Sequence, residues 1–167
     1  MAKHQIFLVL KTIIVGLIVI ILDQSSKRFI IDFFSTNGTF DLKLFRMLNF
    51  VWVENRGFGF GALSSVFQGQ WQPIIISIIV TIVIIFLGIR NGSGLWLPLS
   101  MICGGAISNI IDRMLYGFVF DFIDLFWKKY HYPAFNIADA FIVVGAVLIA
   151  IAEMKKQKFS ATKTKEK

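Results

Sequence analysis

The sequence predicts a membrane protein, an all-α bundle of four transmembrane helices with a small extracytoplasmic β-sheet module. Of its 167 residues, 56% are hydrophobic, which exceeds the roughly 45–50% that is usual for soluble domains. Charged residues make up only 16% of the chain, and they are bunched rather than spread. The length fits one domain, so residues 1–167 are interpreted as a single integral-membrane domain.

Four stretches are long and apolar enough to cross a bilayer, which requires roughly 17–25 mostly apolar residues. They span about residues 6–31, 73–89, 95–116 and 134–152. The first follows a basic start and resembles a signal peptide. No small-residue cleavage site follows it, so it is interpreted as a retained anchor.

The placement of lysines predicts the orientation, because cytoplasmic segments are enriched in Lys and Arg. Six lysines lie in the tail over 155–167, and Lys3 and Lys11 lie near the N-terminus. Both termini are therefore predicted to be cytoplasmic. The net charge of +7 comes largely from this tail, and most aromatic residues lie in apolar runs, so no nucleic-acid partner is expected.

Two segments are predicted to lie outside. In TFDLKLF at 39–45, apolar and charged residues alternate, and a period of two predicts a strand with one apolar face. LNFVWVEN at 48–55 is a candidate second strand. An outer β module is therefore predicted over about 32–71, and an outer loop over about 117–133.

Charged and amide side chains inside crossings are rare, and they usually face the bundle interior or a water-filled cavity. Here they share helix faces at i, i+3 or i, i+4 spacing. They form three groups near the predicted outer ends of crossings: Asp23 and Lys27; Asn109, Asp112 and Arg113; Asn136 and Asp139. The groups can converge on one site. The alternative is that Asp23–Lys27 and Asp112–Arg113 are ion pairs that lock helices together.

Asp121 and Asp139 have no basic residue at helical spacing, so an ion pair explains them poorly. Two carboxylates a few ångströms apart cannot both ionise, and such a pair shares a proton. One can act as general base on a water while the other protonates the carbonyl oxygen and then the leaving nitrogen. That is the chemistry of an aspartic peptidase, with base and acid unassigned. No metal or cofactor is expected, because His4 and His131 belong to no ligand-spaced cluster.

Five motifs occur in order along about residues 10–152: DQSSK at 23–27, ENRGFGFG at 54–61, GGAISNIIDR at 104–113, GFVFDFID at 117–124 and FNIAD at 135–139. In this order and at these separations they closely resemble the lipoprotein signal peptidase family, also called signal peptidase II. Two positions depart from the family pattern. Ser108 stands where the family usually has Gly, and Phe58 stands where it has a small residue.

The resemblance implies a multi-pass aspartic endopeptidase of the bacterial inner membrane, with its active site near the outer face. Such enzymes remove the signal peptide from prolipoproteins whose lipobox cysteine carries a diacylglyceryl group, and they cut on the N-terminal side of that cysteine. The expected partners are prolipoproteins, membrane lipids and the inhibitory cyclic peptide globomycin. The chain is expected to be a monomer.

By its motifs, the resemblance assigns catalysis to Asp121 and Asp139. It assigns substrate binding or shaping of the site to seven further residues: Asp23, Lys27, Asn55, Gly57, Asn109, Arg113 and Asn136. Gly105 joins them because a missing side chain lets a lipid-modified peptide lie close to the helix. Helix packing is the alternative for Gly105, interhelical hydrogen bonding for the helical asparagines, and a scaffold role is favoured for Arg113.

A small proton-coupled transporter is the alternative from another class, because intramembrane aspartates also mark proton relays. Many transporters show paired repeats and binding sites near the bilayer midplane. This sequence shows no internal repeat, and its acidic residues lie near one predicted face. The pattern therefore favours surface chemistry over translocation.

Overall fold

The computed structural model describes residues 2–57, 75, 78–79, 81–82 and 93–165. Within these residues the chain forms three long helices and four strands. The helices are α1 (Ala2–Asn37), α2 (Trp96–Tyr116) and α3 (Ile137–Lys165). The strands are β1 (Asp41–Phe45), β2 (Leu48–Asn55), β3 (Val119–Trp127) and β4 (Tyr130–His131).

Among the described residues, two helical segments are long and apolar enough to cross a membrane, Ile6–Asn37 in α1 and Ile137–Lys156 in α3. Their apolar side chains are largely exposed, as a lipid-facing surface requires. The crossing predicted over 95–116 coincides with α2, which is more polar and does not belong to this class. Most of the crossing predicted over 73–89 lies outside the described residues, and its five described positions are helical. Four crossings therefore remain a prediction.

Helix α2 packs closely against both α1 and α3, and two adjacent glycines permit the approach. A Cβ atom at Gly104 would lie 2.7 Å from the carbonyl oxygen of Gly16 in α1, and one at Gly105 would lie 2.6 Å from that of Ala138 in α3. Small residues let helix backbones come this close. This geometry favours the packing alternative for Gly105 over direct contact with a substrate.

The four strands form one antiparallel sheet in the order β1-β2-β3-β4. The sequence predicts the small sheet, and the structure contains it, but the segment 117–133 is not the predicted loop. Its residues form β3 and β4, and β3 pairs along β2 with Asn55 opposite Val119 and Val53 opposite Asp121. The sheet therefore combines two segments that are far apart in the sequence.

The sheet packs on the end of α1 through an apolar cluster. Ile30 and Phe34 of α1 are buried together with Phe120 and Phe122 of β3, and Trp52 of β2 lies 4.8 Å from Phe120 between ring centroids. Because successive side chains of a strand point to opposite faces, this cluster directs the intervening residue 121 away from itself. The core thereby fixes the orientation of one of the candidate catalytic residues.

Candidate active site

Asp121 projects from β3 into a polar environment that excludes most solvent. Its exposed fraction is 1%. Asn55 Nδ2 donates a hydrogen bond to Asp121 Oδ2 at 2.9 Å, and Asn136 Nδ2 donates one to Asp121 Oδ1 at 2.6 Å. Both oxygens of the carboxyl are therefore held by neutral amide groups from β2 and from the residue that precedes α3.

Asp139 lies in the first turn of α3 and takes part in a reciprocal cap. The Asn136 side-chain oxygen accepts a hydrogen bond from the Asp139 backbone N–H at 2.9 Å, and Asp139 Oδ2 accepts one from the Asn136 N–H at 3.3 Å. This arrangement satisfies backbone donors that a helix start otherwise leaves open. Asn109 Nδ2 in α2 donates to Asp139 Oδ1 at 2.8 Å, so the carboxylate is held from two helices.

Asn136 therefore contacts both candidate carboxylates, and it brings them into one hydrogen-bonded group. Its side-chain amide also donates to Asn109 Oδ1 at 3.2 Å. Asn136 is completely buried, and each of its contacts connects a different element. The two aspartates that sequence reasoning paired thus both contact Asn136, Asp121 through the side-chain amide and Asp139 through the backbone N–H, although they lie on a strand and on a helix.

No cation neutralises the two carboxylates directly: within the described ranges, neither Asp121 nor Asp139 has an ion-pair partner. Burial and, second to it, the negative charge of Asp139 together raise the pKa of Asp121 to about 7. Hydrogen bonds from Asn55 and Asn136 oppose this rise in pKa. The Asp121 carboxyl consequently retains its proton up to near-neutral pH.

A buried ion network supports this site from the α1 side. Lys27 is 3% exposed, and its ammonium lies 2.6 Å from Asp23 Oδ2, 2.7 Å from Asp112 Oδ2 and 3.2 Å from Asn109 Oδ1. Three acceptors match its three N–H donors. Lys27 therefore orients Asn109, which in turn holds Asp139. Of the two ion pairs considered from the sequence, Asp23–Lys27 forms, whereas Asp112 pairs with Lys27 and not with its neighbour Arg113.

Asp23 links α1 to both other long helices. Its Oδ1 accepts a hydrogen bond from the backbone N–H of Ala138 at 2.8 Å, and its Oδ2 accepts one from Ser108 Oγ at 2.7 Å. It thus satisfies an open N–H in the first turn of α3, one residue before Asp139. Ser108 supplies a hydroxyl where the family pattern has glycine, so this departure adds a contact to the network. The other departure, Phe58, lies outside the described residues.

Gly57 acts on the site through Asn55. Its φ angle is +80°, a left-handed conformation that favours glycine, and its N–H donates to Asn55 Oδ1 at 2.9 Å. This turn orients the Asn55 amide so that its Nδ2 reaches Asp121. The spacing of Asn and Gly in the motif therefore has a local geometric reason.

Arg113 lies beside the site without forming an ion pair within the described residues. Its Nη1 donates to the backbone oxygen of Asn109 at 3.4 Å, and its Nε is buried without a partner in the same part of the chain. The charges of Asp139, Asp121 and Asp112 act on its guanidinium. This position agrees with the scaffold role that was favoured for Arg113 and leaves one donor open.

The sequence did not predict the polar contacts of Asp124. Asp124 is 7% exposed, and both of its oxygens lie 2.9 Å from His131 Nδ1, while Asn49 Nδ2 donates to Oδ2 at 3.1 Å. No spacing rule links these three residues, since they meet only through strand pairing. Across the described residues, no three His, Cys, Asp or Glu side chains are arranged to hold a metal ion.

Comparisons of sequence show which known proteins this chain resembles. The family described as signal peptidase (SPase) II matches residues 15–155. The chain is 41% identical over 146 residues to the lipoprotein signal peptidase of Thermodesulfovibrio yellowstonii, covering 87% of this chain and 96% of that protein. It is 43% identical over 145 residues to the lipoprotein signal peptidase of Burkholderia vietnamiensis, covering 85% and 86%.

Among solved structures, the chain is similar to a bacterial membrane enzyme determined by the in meso method at 2.3 Å resolution. The TM-score is 0.71 and the sequence identity 31%, with coverage of 88% of this chain and 89% of that one. A second bacterial membrane enzyme, determined by the same method at 1.9 Å resolution, gives a TM-score of 0.71 at 32% identity, covering 87% and 93%.

Proposed function

The chain belongs to the signal peptidase II family, and from this premise we propose that it removes signal peptides from prolipoproteins in a bacterial membrane. The proposal includes an aspartic mechanism in which Asp121 and Asp139 form the catalytic pair. The observation that carries it is the contact of Asn136 with both carboxylates. Two acids without a cationic partner, both hydrogen-bonded to one buried asparagine, suit proton sharing better than a structural ion pair.

In the proposed reaction, a water molecule attacks the carbonyl carbon of the scissile peptide bond. Asp139 takes a proton from that water as general base, and Asp121 gives the shared proton to the carbonyl oxygen. The tetrahedral intermediate then collapses: the C–N bond breaks, the leaving nitrogen takes the proton held by Asp139, and a hydroxyl of the intermediate returns a proton to Asp121. A carboxylic acid and an amine result. No bond between enzyme and substrate forms.

The unequal burial of the two acids supports this division of roles. Asp121 is almost completely buried, whereas Asp139 is only half-buried. Desolvation disfavours the charged form of a carboxyl, so the shared proton resides on Asp121 and the more accessible Asp139 meets the water. Asn109 and the Asn136 N–H stabilise the ionised form of Asp139 by donating hydrogen bonds to it.

The remaining residues position this pair. Lys27 and Asp23 hold α1, α2 and the start of α3 together. The turn at Gly57 orients the Asn55 amide, which donates to Asp121. Gly105 lets α3 pack closely against α2. Preorganised donors cost little reorganisation during a reaction. The network therefore contributes to the rate through orientation, without contact with the scissile bond.

For the substrate, we propose a prolipoprotein with a diacylglyceryl-modified cysteine that is cut on the N-terminal side of that residue. The enzyme is proposed to lie in the bacterial inner membrane with both termini cytoplasmic and the site near the outer face, and to be inhibited by globomycin. The two apolar helical segments, Ile6–Asn37 and Ile137–Lys156, support placement beside the lipid in which the acyl chains of such a substrate reside.

The test of this function uses purified full-length protein and a pair of prolipoprotein peptides that differ only in the diacylglyceryl group. Product masses report the cleavage position. We expect cleavage before the modified cysteine, none of the unmodified peptide, and inhibition by globomycin. Equal cleavage of both peptides, or a cut elsewhere, would refute the proposed specificity. The family match does not favour the transporter alternative.

A further inference from the structure

A cavity with both polar and apolar lining lies between α1 and α2, beside Phe120 of β3, and the proposed chemistry does not use it. Its volume is about 290 Å³. None of the residues that hydrogen-bond to Asp121 or Asp139 lines it. It is bounded on the inside by Lys27 and Asp112 and on the outside by Ser25, Arg28 and Tyr116. Its size is near the lower end of small-molecule pockets.

The outer lining offers hydrogen-bond donors without partners. In the part of the chain that the structure describes, the Arg28 guanidinium has no ion pair, and neither the Ser25 nor the Tyr116 hydroxyl has a hydrogen bond. All three residues are exposed. The inner cation, Lys27, differs because its three donors already have acceptors. The outer lining therefore offers one guanidinium and two hydroxyls with free donors, next to an inner group in which Lys27 is paired with two carboxylates.

This set of donors suits a phosphate group. Guanidinium binds phosphate oxygens bidentately, and the bond is strengthened by charge. Ile31 and Phe120 add apolar lining next to the donors. A ligand with an anionic head and an adjoining hydrocarbon portion would satisfy both kinds of surface.

The cavity also lies where a phospholipid headgroup is expected. Exposed apolar side chains of α1 run from Ile6 to Leu22, and Phe29 is exposed beyond them. After Lys11, the next charged residue is Asp23. Arg28 follows about one turn later, and Tyr116 ends α2. Tyrosine is enriched at membrane–water interfaces, and long basic side chains near the end of a crossing reach the interface.

We propose that this cavity binds the phosphate of an anionic phospholipid through Arg28, with Ser25 and Tyr116 as further donors. The bound lipid bridges α1 and α2 beside the ion network that supports the candidate active site. A phospholipid headgroup and inorganic phosphate present the same chemical group, so either could be recognised by these donors. This binding is independent of whether the chain cleaves prolipoproteins.

The experiment titrates purified full-length protein in detergent with short-chain phosphatidylglycerol and counts bound lipid by native mass spectrometry. We expect one tightly retained lipid, and about fivefold weaker retention by Arg28→Gln, the size of one basic contact to an anionic lipid. Tyr116→Phe, which removes only the hydroxyl, should weaken retention less. Arg46→Gln is the matched control, because Arg46 is an exposed arginine in the turn between β1 and β2, away from the cavity.

Competition with inorganic phosphate distinguishes a site for a lipid headgroup from a site for free phosphate. Retention of the lipid at millimolar phosphate supports a lipid-headgroup site, and displacement supports a site for free phosphate; both agree with phosphate recognition. Two results would overturn the proposal. One is equal retention by the wild type, Arg28→Gln and Tyr116→Phe. The other is an equal loss in Arg28→Gln and Arg46→Gln, which would show a general charge effect.

Discussion

The replacement Asp121→Asn should change how the stability of the protein depends on pH, because Asp121 is a buried carboxyl whose ionisation destabilises the folded state. The pKa of Asp121 is raised from its ordinary value of 3.8 to about 7, chiefly by burial. The folded protein therefore holds this proton more tightly than the unfolded chain. Its contribution to stability is fully present below about pH 4 and is lost as the pH rises to about 7.

Each pKa unit corresponds to about 1.4 kcal/mol, so the full loss is about 4 kcal/mol. More than half of this loss falls between pH 5 and pH 8. Asn cannot titrate, and it leaves one of the two neighbouring amide donors without an acceptor, which costs about 1–3 kcal/mol at either pH. The difference between wild type and variant should therefore change by about 2–3 kcal/mol between the two pH values.

The assay is thermal unfolding in detergent, followed by the fluorescence of the four tryptophans. For a chain of this size, the change corresponds to a relative gain in Tm of about 5–10 °C for Asp121→Asn at pH 8 compared with pH 5. The control is Asp124→Asn, the same replacement in the same strand at a carboxylate that His131 contacts. A Tm difference between wild type and Asp121→Asn that is equal at both pH values would refute the reasoning.

Three other predictions concern the same network. The kcat/KM of cleavage, measured from pH 4 to 10, should fall above about pH 7 as the proton on Asp121 is lost; a flat profile would contradict proton sharing. Lys27→Met should lower stability by about 3–5 kcal/mol, because buried acceptors lose their cation, and an unchanged Tm would contradict this. Gly105→Ala should lower both the Tm and the rate of cleavage, because its Cβ would lie 2.6 Å from the Ala138 oxygen. The control Gly94→Ala, where a Cβ meets open space, should leave both unchanged. Equal effects of the two replacements would contradict the packing argument.

Sequence reasoning succeeded where short-range spacing decides the outcome. The i, i+3 and i, i+4 spacings placed Asn136 with Asp139 and Asp23 with Lys27, and both contacts form. Alternation predicted β1, and LNFVWVEN, named as a candidate second strand, forms β2. That Asp121 and Asp139 catalyse cleavage stays a prediction.

Contacts between distant segments could not be derived in this way. Asp112 lies next to Arg113 in the sequence but pairs with Lys27 across two helices, and Asp23 reaches the start of α3. The sequence predicts a loop over 117–133 because this segment lies between two predicted crossings. The strand forms because β2 supplies its hydrogen bonds and α1 covers its aromatic face, and neither partner is adjacent in the sequence.

The central claim is that Asp121 and Asp139 are the catalytic pair. The most direct measurement is the single-turnover rate of cleavage of a diacylglyceryl-modified prolipoprotein by wild type, Asp121→Asn, Asp139→Asn and the control Asp124→Asn, with Tm confirming that each is folded. We predict that both replacements in the pair lower the rate by about 10²–10⁴-fold, the range of general acid–base catalysis, while the control stays close to wild type. Folded Asp121→Asn or Asp139→Asn protein that cleaves at near the wild-type rate would contradict the claim.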